Sequence, residues 1–193
     1  GLEPQTVAKL AEHPNIVGLK AAGGNSAMFY GWEPLRDIAS PGSLRFSTYI
    51  SAHMKESSDT ALTDEAICNI EENHPDFVFL YMVETDEKGG HDNGWMSKEY
   101  LKAVRFTADC MERLYDAMKE EDQFILLSDH GGHGFDHYDE TCPEDMTVPL
   151  FCAGSAFPKG KVLHNWSLLD IAPTVCKALD VEIPPQFEGI SLI

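Results

Sequence analysis

Residues 123–137 read Gln-Phe-Ile-Leu-Leu-Ser-Asp-His-Gly-Gly-His-Gly-Phe-Asp-His and join an apolar run to acidic residues, histidines and glycines. The run at 124–127 shows no polar alternation, which predicts a short strand buried on both faces, as in a parallel sheet. Open α/β sheets bind ligands at the carboxyl ends of their strands. Asp129 and His130 follow this strand at once, and carboxylate with imidazole suits Zn²⁺, Mn²⁺ or Fe. The stretch therefore predicts a metal site at a strand end.

A second apolar run, Phe-Val-Phe-Leu-Tyr-Met-Val at 77–83, predicts another buried strand. It also ends in charge, because Asp86 follows it and His91 comes after two glycines. Parallel strands bring their carboxyl ends to the same edge, so we expect the two groups to converge in a binuclear metal site. The alternative is an acidic, glycine-rich rim with incidental histidines.

The remaining pattern alternates strands with helices, which favours an α/β fold: a three-layer sandwich with a mostly parallel sheet. We expect one domain over residues 1–193. Other strands are predicted at 26–30, 44–50 and 147–153, the last two near sheet edges, and helices at 4–12, 63–73, 98–119 and 167–179. The apolar face predicted for the longest helix contains Leu101, Val104, Ala108, Met111, Tyr115 and Met118.

Composition excludes several kinds of partner. The 193 residues include 32 acidic and 14 basic side chains, a net charge of -18, so nucleic acids and anionic membrane surfaces are unfavourable partners. No apolar run approaches the roughly 20 residues of a membrane span. Five cysteines without a CxxC pattern favour a reducing compartment, and we expect the cytoplasm. The chain begins with Gly-Leu-Glu, so a targeting segment upstream stays an open alternative.

Four segments occur in a characteristic order. They are Glu-Thr-Asp-Glu-Lys-Gly-Gly-His-Asp-Asn-Gly-Trp-Met-Ser at 84–97, Ser-Asp-His-Gly-Gly at 128–132, Gly-Phe-Asp-His at 134–137 followed by Pro-Glu-Asp-Met-Thr-Val-Pro at 143–149, and Ser-Leu-Leu-Asp-Ile-Ala-Pro-Thr at 167–174 with Pro-Gln-Phe-Glu-Gly at 185–189. Together they resemble the type I phosphodiesterase/nucleotide pyrophosphatase family of the alkaline phosphatase superfamily. Residues 29–37 fit one bacterial branch of it.

The resemblance implies a metal-dependent hydrolase of small-molecule phosphate mono- or diesters. It implies that Asp86, His91 and His137 bind one divalent ion and that Asp129 and His130 bind a second, with Zn²⁺ preferred over Mn²⁺ or Fe. His133 is an alternative ligand to His137. If His137 is the ligand, His133 is either a substrate contact or part of a polar loop, and Trp32 is a further candidate for substrate binding.

Two features depart from the family pattern. Asp86 and His91 stand five positions apart where many members have four; Gly89 and Gly90 can absorb the extra residue, and Glu87 would restore a spacing of four. The family's metal-binding aspartate and its Ser or Thr nucleophile are not recognisable before residue 21. We therefore expect an alkaline-phosphatase-like fold without its N-terminal strand and nucleophile segment, and a chain that is inactive if nothing replaces them. The alternatives are a sulfatase-like hydrolase, a non-catalytic metal-binding domain and an inert fragment.

Residues 2–20 are similar to a segment of the dihydrodipicolinate synthase/N-acetylneuraminate lyase family. The resemblance would make Lys20 a Schiff-base lysine, but the rest of that barrel is absent. An amphipathic helix leading into a strand, or a hybrid sequence, accounts for the same residues.

Overall fold

The computed structural model describes residues 25–53 and 57–193, so the predicted helix at 4–12 and Lys20 lie outside the described residues. Three parallel strands form one sheet in the order β2-β1-β3. They are β1 (Ser26–Tyr30), β2 (Phe46–Tyr49) and β3 (Phe77–Tyr81). Strands β4 (Phe124–Leu127) and β5 (Leu150–Ala153) pair antiparallel. The prediction of an α/β fold with a parallel sheet is confirmed.

Strand β1 is the most buried strand of the described chain. It has a parallel neighbour on each side, and all five of its residues are buried. Strands β3 and β4 were predicted to be fully buried, but both are only half-buried. The prediction was wrong because an apolar run does not reveal whether a strand lies at the centre or the edge of its sheet; in the described residues β3 lies at an edge.

Side-chain caps fix where the two long helices begin. Helix α1 (Ser58–Asn73) starts five residues before its predicted start, because the Ser57 hydroxyl accepts a hydrogen bond from Thr60 N. Ser97 caps helix α2 (Lys98–Asp116) as predicted. Helix α3 (Pro143–Met146) is a single turn, and α4 (Ile171–Ala178) continues from a 3₁₀ turn at Leu168–Asp170 that Ser167 and Asp170 cap reciprocally.

Helix α2 buries a different face from the predicted one. Cys110 and Leu114 are buried, whereas Leu101 is 48% and Tyr115 50% exposed. Near its start the helix packs closely on the chain segment after β3, where a Cβ atom on Gly89 would lie 3.2 Å from Ala103 Cβ. This close approach helps to set the buried face, and of the predicted face Met111 packs against the core.

The remaining predictions concern which strands lie at sheet edges and whether any helix could span a membrane. Strand β2 lies at an edge of its sheet as expected, and β5 starts after Pro149, since proline cannot donate to the ladder. The buried core contains Ala27, Phe29, Leu62, Ala66 and Leu114. Among the described residues, no helix has both the length and the apolar character needed to cross a membrane.

Candidate metal centre

A π-helical turn at Thr85–His91 follows β3 and presents the first two candidate ligands. Its wide geometry is set by i→i+5 hydrogen bonds such as Gly89 N to Glu84 O, at 2.9 Å. One extra residue per turn brings Asp86 and His91 to the same side, with His91 Nε2 3.7 Å from Asp86 Oδ1. The five-residue spacing that departs from the family pattern is therefore compatible with a shared ion.

Two more histidines approach the same carboxylate oxygen from the loop after β4. The Nε2 atoms of His130 and His137 each lie 4.0 Å from Asp86 Oδ1, and the two rings stack with centroids 3.7 Å apart. Ligand atoms of Asp86, His91 and His137 all lie within 4.8 Å of one another. Asp86 Oδ1 is itself buried without a hydrogen-bond partner. A buried oxygen that lacks a donor and faces three imidazole nitrogens fits a divalent cation.

Backbone carbonyls orient two of these imidazoles. His91 Nδ1 lies 3.0 Å from Phe135 O, and His130 Nδ1 lies 2.7 Å from Gly131 O. Because a carbonyl only accepts, each Nδ1 carries the proton and each Nε2 keeps its lone pair for a metal. The pKa of His137 is lowered by burial and then by the neighbouring His130, which favours the neutral form that binds metal ions.

Asp129 stands beside His130, outside the group formed by Asp86, His91 and His137. Its Oδ1 atom is 3.8 Å from His130 Nε2, and its Oδ2 atom accepts a 2.7 Å hydrogen bond from the Tyr81 hydroxyl. Burial, and then the Asp129 charge, raises the pKa of Tyr81 far above its usual range, so this hydroxyl stays a donor. The ends of β3 and β4 are thus joined at the site.

Trp95 forms one wall of the centre. Its ring lies 5.2 Å from that of His91 and 5.8 Å from that of His137. A Cβ atom on Gly90 would come within 2.5 Å of the indole, and one on Gly132 within 2.1 Å. The glycines in both motifs therefore make room for this tryptophan.

His133 is not part of the group around Asp86. Its Nδ1 atom lies 2.7 Å from Oδ1 of the buried Asp145, whose hydrogen bond raises the pKa of His133. Burial raises the pKa of Asp145, but the bonds from His133 and Asp139 N outweigh it, and the pKa is lowered. Cys142 offers a third potential ligand within 4.8 Å of this pair. The contact between His133 and Asp145 holds the loop between β4 and α3 in place.

A reciprocal pair of buried carboxylates supports the π-helical turn. Asp59, at the start of α1, accepts hydrogen bonds from Val83 N at 3.1 Å and Glu84 N at 3.2 Å. Glu84 in turn accepts from Ser58 N at 2.9 Å and pairs with Lys88 Nζ at 2.6 Å. Burial raises the pKa of Asp59 to about 6. The exit of β3 is therefore tied to α1 directly before the Asp86 segment.

Sequence reasoning missed Tyr81, Asp145 and Asp59. Only Tyr81 gave a usable signal, since it is a hydroxyl-bearing residue near the end of an apolar run. Trp32, predicted to bind substrate, lies with its ring centroid 6.4 Å from that of Tyr81.

Residues 14–183 match the family model described as the Metalloenzyme superfamily. The chain belongs to the Metalloenzyme superfamily. Curated relatives match a shorter part of this chain, about 72% of it. The 2,3-bisphosphoglycerate-independent phosphoglycerate mutase of Clostridioides difficile is 30% identical over 145 residues, which is 72% of this chain and 28% of that protein. The enzyme of the same name from Desulforudis audaxviator is 32% identical over 143 residues, or 72% of this chain and 27% of the relative.

A crystal structure of Leishmania mexicana phosphoglycerate mutase at low cobalt concentration has the same fold. It superposes with a TM-score of 0.59 at 16% identity, covering 86% of this chain and 36% of the mutase. This likeness is consistent with the alkaline-phosphatase-like fold. The chain spans about 28% of the length of the curated relatives it matches. These relatives are named as mutases, so they do not support the narrower type I phosphodiesterase family.

Proposed function

We propose that this chain binds two divalent ions for phosphoryl transfer and belongs to a hydrolase of small-molecule phosphate mono- or diesters. The observation that supports this most directly is the buried Asp86 Oδ1, which has no hydrogen-bond partner and faces three imidazole nitrogens. Membership of the Metalloenzyme superfamily supports a divalent metal. The net charge of -18 adds to this, since an anionic ester needs bound cations near it.

In this proposal Asp86, His91 and His137 hold one ion, and Asp129 and His130 hold the other. His130 lies 4.0 Å from Asp86 Oδ1 and 3.8 Å from Asp129 Oδ1, a position between the two groups. Two divalent ions at such a site supply charge stabilisation to a transferring phosphoryl group. Zn²⁺ is the first choice, because carboxylate and imidazole are its common ligands; Mn²⁺ and Fe are alternatives.

The surrounding residues would keep this site rigid. Phe135 O and Gly131 O hold the imidazoles of His91 and His130, and Tyr81 holds Asp129. Trp95 packs on two of the histidines and shields that side from water. Fixed ligand orientation lowers the reorganisation that metal binding and charge stabilisation would otherwise require.

The reaction within phosphoryl transfer has two candidates. The four motifs support hydrolysis of the phosphodiesterase/nucleotide pyrophosphatase type. The names of the curated relatives support a mutase, in which a hydroxyl of the substrate rather than water receives the phosphoryl group. No nucleophile is identified in this chain, so a non-catalytic metal-binding domain is the alternative of a different class. A sulfatase-like hydrolase is the alternative within the same chemistry.

Metal content tests the site itself. The purified chain is loaded with Zn²⁺ or Mn²⁺, passed through a desalting column and measured by elemental analysis. We expect two equivalents in the wild type and a loss of about one in Asp86→Asn and His137→Ala. Asp109→Asn, an exposed carboxylate on α2, is the control and keeps both. Unchanged metal content in both site variants would refute the ligand assignment.

Turnover tests the reaction class. We expect the metal-loaded chain to prefer bis(nitrophenyl) phosphate to nitrophenyl sulfate; the reverse preference would support the sulfatase alternative. Stoichiometric metal without any turnover would support the non-catalytic alternative. Nucleic acid and membranes are not expected as partners, given the acidic charge. The five free thiols support our proposal of a cytoplasmic location.

A further inference from the structure

A cavity of about 170 Å³ lies beside the candidate metal centre, at the carboxyl ends of the parallel strands. Trp32, which follows β1, and Tyr49, which ends β2, line it together with Glu87 of the π-helical turn. Glu87 is the chain neighbour of Asp86, and the Trp32 ring lies 6.4 Å from that of Tyr81, which binds Asp129. One lining residue, Glu87, is therefore the chain neighbour of Asp86, and another, Trp32, is separated from Asp129 only by Tyr81.

The lining combines aromatic faces with carboxylates. Trp32, Tyr49, Glu33 and Glu87 all contribute, and among the described lining residues His53 is the only one with a basic side chain. Glu33 is paired at 2.6 Å with Arg36, so its charge is compensated. Among the described residues, no basic side chain forms an ion pair with Glu87, and its carboxylate is therefore available to a ligand.

This lining discriminates between classes of ligand. A carboxylate or a second phosphate would meet the uncompensated charge of Glu87, with His53 as the only basic side chain among the described lining residues, which is unfavourable. A neutral apolar group would use the aromatic faces but leave Glu87 unpaired. An ammonium group satisfies both, because a cation is attracted to the faces of Trp and Tyr rings and to a carboxylate. The volume is below that of sites for drug-sized ligands, so it suits a small head group.

We propose that the cavity lined by Trp32, Tyr49 and Glu87 binds a small ammonium group. Resting on the proposed function, this makes the substrate a phosphate ester whose alcohol is positively charged, with its phosphate at the metal centre and its ammonium group in the cavity. Such a substrate differs from phosphoglycerate, whose carboxylate the cavity disfavours.

The first experiment tests the cavity without metal. Choline chloride and its neutral analogue 3,3-dimethylbutan-1-ol are titrated separately into the EDTA-treated whole chain by calorimetry. We expect choline to bind about tenfold more tightly, the size of a partly desolvated cation–π contact together with one carboxylate. Equal affinities would show an ordinary apolar pocket and refute the proposal, as would no binding of choline.

Variants assign the preference to residues. Glu87→Gln is expected to reduce the choline preference about threefold or more, whereas the matched control Glu33→Gln, already paired with Arg36, changes it less. Trp32→Leu should abolish most of the preference, and Trp32→Phe, which keeps an aromatic face, should retain part of it. Thermal melting verifies that each variant is folded. A preference that survives both Glu87→Gln and Trp32→Leu would contradict the assignment.

A second titration separates this inference from the proposed function. The Zn²⁺-loaded chain is titrated with phosphocholine and with 3-phosphoglycerate, and phosphocholine is expected to bind more tightly. Tighter binding of 3-phosphoglycerate would refute the substrate class. Failure of the chain to bind Zn²⁺ would refute the proposed function, while choline binding to the metal-free chain would still support the ammonium site.

Discussion

The Tyr81 hydroxyl donates a 2.7 Å hydrogen bond to Asp129 Oδ2 and so joins the end of β3 to the loop after β4. These two strands are not paired with each other in the described sheets, where β3 pairs with β1 and β4 with β5. A side-chain contact therefore helps to bring the two groups of candidate ligands together. The relationship also makes Tyr81 an orienting partner of a proposed metal ligand.

Tyr81→Phe is expected to weaken metal binding at the Asp129–His130 group by about 10–100-fold, the usual cost of removing an outer partner of a ligand. Ion affinity measured by competition with a chromogenic chelator tests this. Tyr115→Phe, at an exposed tyrosine of α2, is the control. Equal affinities in wild type and Tyr81→Phe would show that Asp129 needs no such partner or binds no ion.

Gly132→Ala is expected to destabilise the chain by about 1–3 kcal/mol, because its Cβ atom would lie 2.1 Å from the Trp95 ring. Urea unfolding of a double-mutant cycle with Trp95→Ala tests the cause. In the Trp95→Ala background the glycine substitution should cost much less, because the colliding ring is gone. Additive costs would point to backbone strain instead.

Asp59→Asn should change how stability depends on pH. Burial raises the pKa of Asp59 from 3.8 to about 6, so the folded state binds its proton more tightly than the unfolded state does. Stability is then lost as the pH rises from about 4 to 6, by about 3 kcal/mol for a shift of this size. The free energy of unfolding of the wild type relative to Asp59→Asn should fall over this range. A difference that stays constant between pH 4 and 7 would contradict the assigned burial effect.

The His133–Asp145 pair should stabilise the chain within a pH window. The raised pKa of His133 means that its contribution is complete below about 6.5 and is lost as the pH rises through the folded-state pKa. The lowered pKa of Asp145 means that its contribution is present above about 3.8 and is lost as the pH falls through the folded-state pKa. Wild type and His133→Asn, unfolded thermally in EDTA, should differ most between these limits. A larger difference at pH 8 than at pH 5 would be inconsistent with this pair.

The fold class was predictable because strand and helix periods alternate along the chain and the apolar runs end in chemistry-bearing residues. The position of a strand within its sheet was not, since β1 reads as an ordinary five-residue run yet is buried throughout. The prediction of the buried face of α2 was also wrong, because hydrophobicity points to Leu101 and Tyr115 whereas Cys110 and Leu114 are buried. Packing distance is a tertiary property that no local pattern encodes.

In the candidate site, too, some features could be predicted from the sequence and others could not. Acid and histidine at two strand ends were visible in the sequence, and the structure brings Asp86, His91, His130 and His137 to one place. The residues that orient them were not visible, because a carbonyl such as Phe135 O leaves no trace in the residue type. The partner of His133 is Asp145, twelve positions further along the chain. The two residues meet only because the loop between them folds back, which the sequence does not show.

The π-helical turn at Thr85–His91 accommodates an interval of five positions and still brings His91 Nε2 to 3.7 Å from Asp86 Oδ1. One added residue is taken up as a wider coil rather than as a displaced side chain. A motif that requires a fixed interval of four positions between these two candidate ligands does not match this chain. An added residue within this stretch is therefore weaker ground for calling a homologue degenerate than the loss of either candidate ligand.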